Sequence, residues 1–431
     1  MSPNKFRKAR EQYHGGNGIV NNGDHSTISR KYYHVTVEDK PYYPFLEAHD
    51  NNIESIKEAT ACVLGLSQCA KESLFVSPVL GGNTNTLFCV SSIQSSNGKN
   101  NNDIPESVLV RIFGAPGLID RDVETSTYAA LAQQGLALAY FGRFANGRIE
   151  EWSDWKPITE SDMAKPDISS YIAMQLARLH CCFNIPPHLL EYHNPQATPT
   201  MWTQLEEWLA SVQTATFRND HDTQRAQDLQ LHKLNDEVLW LKESVIPSTA
   251  KIGFCHNDLL ASNILCSVPL QLIDFEYGGI NYLAYDIANH FNEFAGGTAK
   301  EDKSTPDYSR MPSPKMQRGF CRAYLNECLS YENETTQLSS RELKTHLDNL
   351  VQEVEGFMLA NHLVWGLWGI HQASQIVDCT TENDDIDKED DDSFDYLHYG
   401  SCRIKRYWQI KEEWMQKMMS SQNDDNNSSN E

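Results

Sequence analysis

The sequence predicts an α+β protein of two unequal lobes, a small lobe rich in strands followed by a larger, mainly helical one. Three observations carry that prediction. Between residues 74 and 150 the short apolar runs LFVSPVL, LFCV, SVLVRIF and NGRIEEW surround a single helical stretch, RDVETSTYAALAQQ. From Ser169 the period changes to that of a helix: Ile172, Leu176, Leu179 and Phe183 recur, and Trp202, Leu205, Trp208, Leu209 and Val212 repeat the pattern. Within the helical part, IGFCHND and PLQLIDF are short apolar segments that each end in an acid, separated by the turn-prone CSVP. They read as two neighbouring strands.

Residues 1 to 30 are rich in Gly, Asn, Lys and Arg without periodicity, and 419 to 431 are polar throughout, so both are expected to be disordered tails. Between them the first lobe spans 31 to 155 and the second 156 to 418. The segment SSIQSSNGKNNNDIPES separates two strand-like runs and reads as a long hairpin loop. Residues 298 to 315 and the acidic run TTENDDIDKEDDDS, 380 to 393, read as polar or acidic insertions in helical territory, the acid run as a solvated loop. A chain of 431 residues with 40% hydrophobic content has enough apolar surface for such a two-lobed core. Its 36 basic residues against 59 acids, a formal charge of −23, exclude a nucleic-acid face, which needs clustered Lys and Arg. No run reaches the roughly 20 apolar residues of a membrane span, and the N-terminus lacks the apolar core of a secretory signal. The expected location is the cytoplasm. The 11 cysteines show no C-x-x-C spacing, which favours buried free thiols over metal or disulfides.

The segment GFCHNDLLASNILC places His256, Asp258 and Asn263 where the ends of two strands should be buried. Polar residues there call for a chemical reason. His-x-Asp, four further residues and then Asn, followed eleven positions later by Asp274-Phe275, is the spacing of a kinase-type catalytic loop and its metal-binding element. Asp258 would accept or orient the proton of an acceptor hydroxyl, with His256 and Asn263 completing the catalytic loop. Asn263 and Asp274 supply the hard oxygen ligands that Mg²⁺ prefers.

The first lobe offers a matching phosphate site. In LGGNTNTLF, Gly81 and Gly82 let backbone N–H groups approach phosphates, and Asn83, Thr84 and Asn85 complete the turn. Arg111 lies in SVLVRIF where a kinase carries a phosphate-pairing cation, and Glu124 opens the helical stretch where it could pair with that cation. Period-2 alternation equally allows Arg111 to face outward, and Glu124 to be an ordinary first-turn acid.

In GFMLANHLVWGLWGIHQA, Trp365 and Trp368 stand three apart on one helix face, with Gly366 and Gly369 expected to leave open space beside them. Indole faces attract ammonium groups. Core filling is the competing reading, because a helix apolar all round is usually buried.

HNDLLASNIL, LIDFEYGGINYLAYDIANHFNEFAG and HLVWGLWGIHQA, with VLVRIFG and NGRIEEW, resemble the signature segments of the choline and ethanolamine kinase family over residues 45 to 415. The resemblance implies a protein-kinase-like bilobal fold and ATP- and Mg²⁺-dependent phosphorylation of a small amino alcohol. By position it makes Asp258 the catalytic Asp, Asn263 and Asp274 the metal-associated residues and Arg111 the ATP-phosphate contact. Trp365, Trp368 and Tyr399 become the wall of the amine pocket, with Glu276 beside it. NHFNEFAGG, where choline kinases typically carry a tryptophan, and Leu260 in HNDLL resemble the ethanolamine branch. The expected reaction is therefore phosphorylation of ethanolamine, the first step of the CDP-ethanolamine route to phosphatidylethanolamine. Choline kinase, an aminoglycoside phosphotransferase and a non-catalytic pseudokinase scaffold are the alternatives. Phe275-Glu276 in place of Phe-Gly, and the lack of an A-P-E segment, disfavour a protein kinase.

Overall fold

The computed structural model of the chain describes residues 40–79, 85–93, 105–114, 120–193, 198–331, 339–376 and 394–428. The expected N-terminal tail, most of the Gly-Asn turn (Gly81, Gly82, Asn83 and Thr84), residues 94 to 104 of the long hairpin loop and the acidic run 380 to 393 lie outside the described residues.

The first lobe contains β1 (Tyr42–Tyr43), α1 (Ile53–Leu64), α2 (Gln68–Glu72), β2 (Phe75–Val79), β3 (Asn85–Ser91), β4 (Ser107–Phe113), α3 (Arg121–Gln133), β5 (Tyr140–Phe144) and β6 (Gly147–Glu151). The strands form one sheet in the order β1-β5-β6-β4-β3-β2. Val108, Val110 and Ile112 alternate along β4 into a core with Ile56, Ala59, Val90 and Ile149. Arg111 takes the opposite face. Four elements went unread in the sequence: β1, α1, α2 and β5. In β5 the reason is local: the register shifts between Tyr140 and Gly142, which breaks the period-2 pattern. Gly142 has φ +153°, and a Cβ there would lie 2.7 Å from the Pro41 carbonyl oxygen.

The second lobe runs through α4 (Glu160–Met163), α5 (Pro166–Cys182), α6 (Pro187–His193), α7 (Thr200–Gln213), α8 (Asp220–Asp228) and α9 (Leu234–Trp240). Next come β7 (Ile252–Cys255), β8 (Ile264–Leu265), β9 (Gln271–Leu272), β10 (Gly279–Tyr282) and α10 (Leu283–Asn292). The last helices are α11 (Pro314–Tyr331), α12 (Ser340–Gln375) and α13 (Tyr396–Ser428). The periodic residues of α5 and α7 all enter the main core. The two acid-tipped segments are not strand partners, contrary to expectation. β7 pairs antiparallel with β10, and β9 pairs with β8, so each acid follows a separate two-stranded ribbon.

A further expectation is corrected. The polar C-terminal stretch remains helical to Ser428, because α13 carries no Gly or Pro after Gly400 to stop it. Within the insertion 298 to 315, Ser304 is buried and its Oγ accepts from the Asp395 backbone N–H at 2.8 Å.

Gly366 and Gly369 also do not border open space. A Cβ on Gly366 would sit 2.6 Å from Ile404 Cδ1, and one on Gly369 2.7 Å from the Tyr396 carbonyl oxygen. They are where α12 and α13 approach backbone to backbone. Gly400 completes the contact, its virtual Cβ lying 2.6 Å from the Gly366 carbonyl oxygen. Gly400→Ala is therefore expected to lower stability by roughly 1–3 kcal/mol, since neither backbone can yield without the other. Urea unfolding of this variant beside an Ala substitution at exposed Gly319, where a Cβ meets nothing within 4 Å, checks the result.

Candidate active site

β7 delivers the chain into the turn His256 to Asn263, and the end of that turn leads into β8. The turn is held from below by one buried carboxylate. Asp286 of α10 accepts from the backbone N–H of His256 at 2.6 Å and of Asn257 at 2.7 Å, and Asn289 Oδ1 accepts from that of Leu259 at 2.6 Å. These bonds hold Asn257 at φ +67°, a conformation that Asn tolerates better than most residues, and so aim Asp258 out of the loop. Asn263 Nδ2 donates to the Asp258 carbonyl at 2.9 Å and to its Oδ2 at 3.2 Å, leaving the amide oxygen as a ligand atom.

His256, expected as part of the catalytic loop, is held inside the turn. It is wholly buried, its Nε2 meets the Ile273 carbonyl at 2.9 Å, and its ring leans on Phe275. Burial holds its pKa below the usual range, so it ties the catalytic turn to the Asp274 segment as a neutral ring. Asp274 itself has φ +62° and turns its carboxylate toward the first lobe.

Arg111 meets it there: Nη1 lies 3.4 Å from Asp274 Oδ1. The outward-facing reading of Arg111 is excluded, since only 5% of it is exposed. Its expected partner is also corrected. Arg111 Nε donates to Glu150 at 2.9 Å, whereas Glu124 accepts from Arg121 at 2.8 Å and from Arg148 at 2.7 Å. The strand register explains the exchange. Arg111 stands directly opposite Arg148 on β6, and Glu150 is two residues along the same face. Two facing guanidinium groups are tolerated because Glu150, which bonds both, and Glu124 supply acids beside them. Glu124 is accordingly held down to about 2, burial opposing and Arg148, Arg111 and Arg121 outweighing it. Asn85, the one described residue of the Gly-Asn turn, is buried at the start of β3.

A wall of aromatic rings closes the other side. The rings of Trp365 and Trp368 are 5.3 Å apart, Tyr277 lies 5.2 Å from Trp365, and Trp368 lies 6.2 Å from Tyr399. Trp368 Nε1 donates to Tyr277 Oη at 3.1 Å, while buried Trp365 Nε1 has no acceptor among the described residues. Behind the wall stands an acid that sequence reasoning missed. Glu293, at the end of α10, accepts from Arg403 Nη1 at 3.0 Å; the same guanidinium donates to Tyr399 Oη at 3.1 Å and to Asn361 Oδ1 at 2.8 Å. Glu293 sits in the quoted run NHFNEF, and Tyr277 in IDFEY, but nothing in their spacing marked them as lining one site.

The floor of this cleft concentrates negative charge. Burial, then Glu293, Asp274 and Glu276, push the half-buried Asp258 carboxyl well above its usual range. Glu276 is also 3.4 Å from Arg121 of the first lobe. Asp258, Asp274 and Glu276 thus share one region with the Asn263 amide oxygen, and such oxygens are the hard donors that a divalent cation takes.

Comparison with solved structures defines the class first. The fold is protein-kinase-like: an ethanolamine kinase of Plasmodium vivax superposes with a TM-score of 0.64 at 23% identity, covering 84% of this chain and 90% of that one. A choline kinase of Cryptosporidium parvum gives 0.60 at 22% identity, covering 80% and 91%. The choline/ethanolamine kinase family model matches residues 76–408, and the chain belongs to that family. Relatives include a probable choline kinase 2 of Arabidopsis thaliana, 31% identical over 79% of this chain and 86% of its own length. Human ethanolamine kinase 1 is 32% identical over 72% of this chain and 64% of its own length. Among the described residues no helix is long and apolar enough to cross a membrane.

Proposed function

We propose that the protein is an ethanolamine kinase, transferring the γ-phosphoryl group of ATP to the hydroxyl of ethanolamine, a cytoplasmic reaction that feeds phosphatidylethanolamine synthesis. The observation that carries this reading is the buried Glu293, whose field raises Asp258 and whose partner Arg403 also donates to Tyr399 of the aromatic wall. A primary ammonium offers three N–H donors and gains charge-assisted bonds from such an acid, whereas a quaternary ammonium gains only its field. Asp258 orients the acceptor hydroxyl and takes its proton; Asn263 positions Asp258. Arg111 is the candidate contact to the nucleotide phosphates. Asn263 and Asp274 are the residues that would hold Mg²⁺, which would supply positive charge to offset that of the phosphates. Arg121 and Arg148 keep Glu124 and Glu150 from adding to the negative floor.

The test is phosphoryl transfer from labelled ATP by the purified protein with ethanolamine, choline and an aminoglycoside. Ethanolamine should give the highest kcat/KM; a higher value with choline would reverse the assignment, and transfer to the aminoglycoside alone would remove it. Glu293→Gln should raise the ethanolamine KM at least about tenfold, the scale of a lost charged hydrogen bond, and leave the ATP KM unchanged. It should also move the acid limb of kcat/KM to lower pH, because a negative neighbour that raises Asp258 is gone. Trp368→Leu removes the half-buried indole; an amine KM raised several-fold is expected from about 1–2 kcal/mol of lost cation–π attraction. An unchanged amine KM with a lowered melting temperature would return this residue to core filling.

A further inference from the structure

Helix α3 belongs to the first lobe by sequence, but it packs on the second. Its buried apolar residues Tyr128, Ala129, Ala130 and Leu131 join the main core with α5 and α7, and among the described residues none of them enters the core built on Val108, Val110 and Ile112. Polar contacts follow the same division. At its N-terminal end Arg121 reaches Glu276 at 3.4 Å. Just past its C-terminal end the Gln134 side chain exchanges two hydrogen bonds with the Asn184 backbone, Nε2 donating to the carbonyl at 2.8 Å and Oε1 accepting from the N–H at 2.9 Å. Between them, Oγ1 of buried Thr127 stands 2.7 Å from Nε2 of His193, the last residue of α6.

The other side of His193 faces the ribbon that delivers the catalytic turn. Its ring meets that of Phe254 edge-on at 5.6 Å, and Phe254 lies on β7 two residues before His256. A Cβ on Gly279, the β10 partner of Cys255, would lie 3.7 Å from His193 Nδ1. Burial lowers the His193 pKa to about 4, so at neutral pH the ring is uncharged and holds the Thr127 hydroxyl without needing a counter-ion. Thr127 in turn stands one helical turn from Glu124. The sheet rests on α3 there, through the ion pairs of Arg148 with Glu124 and of Arg143 with Asp122, and Arg148 shares Glu150 with Arg111.

We infer that His193 is a positioning residue for phosphoryl transfer: through Thr127 it pins α3 to the β7-β10 ribbon, and so sets where Arg111 stands relative to Asp258. This rests on the reading of Arg111 as the contact to the nucleotide phosphates. The pin acts at the middle of the helix, close to Glu124, whereas Gln134 holds only its far end.

His193→Phe keeps a ring against Phe254 and deletes the nitrogen, and Thr127→Val keeps the branched shape and deletes the hydroxyl. In each, hydrogen exchange at residues 121–133 should quicken. The Kd for ATP, read by titration calorimetry on the full-length protein, should rise at least about fivefold, the scale of one neutral hydrogen bond. The Kd for adenosine, which carries no phosphate, should stay within about twofold. Thr127→Ser restores the hydroxyl and should bind ATP as wild type does. The double variant should be no weaker than either single, because both residues act through one bond. A lowered melting temperature with unchanged ATP binding in both single variants would make the pair merely structural and overturn the inference, as would equal losses for ATP and adenosine. Arg111→Met, measured beside them, separates the two readings. ATP binding weakened by Arg111→Met alone would overturn the pin and spare Arg111; normal binding in Arg111→Met would remove Arg111 from the phosphates and this inference with it. Exchange and ATP binding need no amine, so a wild-type protein inactive on ethanolamine would count against the proposed function alone.

Discussion

Asp258→Asn should lower kcat by roughly 10²-fold or more and at the same time leave the protein as stable or more stable than before. The activity loss follows from the loss of the proton acceptor, whose removal typically costs that much. The stability gain follows from the sign of the pKa shift. An acid held above its usual range in the folded protein is a destabilising group at neutral pH, where it must ionise against burial and against Glu293, Asp274 and Glu276. The Asn side chain keeps the shape, removes the charge, and can still accept from Asn263 Nδ2 through its own oxygen. Opposite movements of kcat and melting temperature are thus expected from one substitution. A variant within tenfold of wild-type turnover would show that Asp258 is not the proton acceptor, and one with a large stability loss would show that the carboxylate is held by partners stronger than its repulsions.

The legible part of this protein was the part fixed by short-range pattern. Strand β4 coincides with the run SVLVRIF because alternation puts Val108, Val110 and Ile112 on one face, and α5 and α7 follow their 3.6-residue period. His256, Asp258, Asn263 and Asp274 could be picked out as candidates because one turn and one strand end carry them in close sequence. What escaped depends on pairings between distant segments. Glu124 was assigned to Arg111 from sequence order alone, whereas the register of β4 against β6 supplies Arg148 and Glu150 instead. The role of Gly366 and Gly369 was misread for the same reason, since their neighbour, Gly400, arrives from another helix. Glu293 needed α10, α12 and α13 to be packed before its link through Arg403 to Tyr399 and Asn361 could be seen.

That link gives the second large effect. Arg403 is wholly buried and serves Glu293, Tyr399 and Asn361 together, so Arg403→Met should leave Glu293 as an unpaired buried carboxylate. Breaking a buried pair from one side costs on the order of 3–5 kcal/mol, which would be read as a large fall in the urea midpoint. Adding Glu293→Gln to Arg403→Met removes the stranded charge, and replacing both members of a buried pair is often neutral, so the double variant should recover much of that stability. It should not recover amine binding. The ethanolamine KM should stay at least about tenfold above wild type in the double variant, because the anion itself is missing, while the ATP KM is unaffected. If Arg403 were only a packing residue, the double variant would be no more stable than Arg403→Met, since the lost contacts to Tyr399 and Asn361 would dominate in both. If Glu293 were not the acid that meets the amine, the double variant would regain stability and bind ethanolamine normally. Denaturant midpoints and both KM values, measured on the two single variants and the double, separate these outcomes.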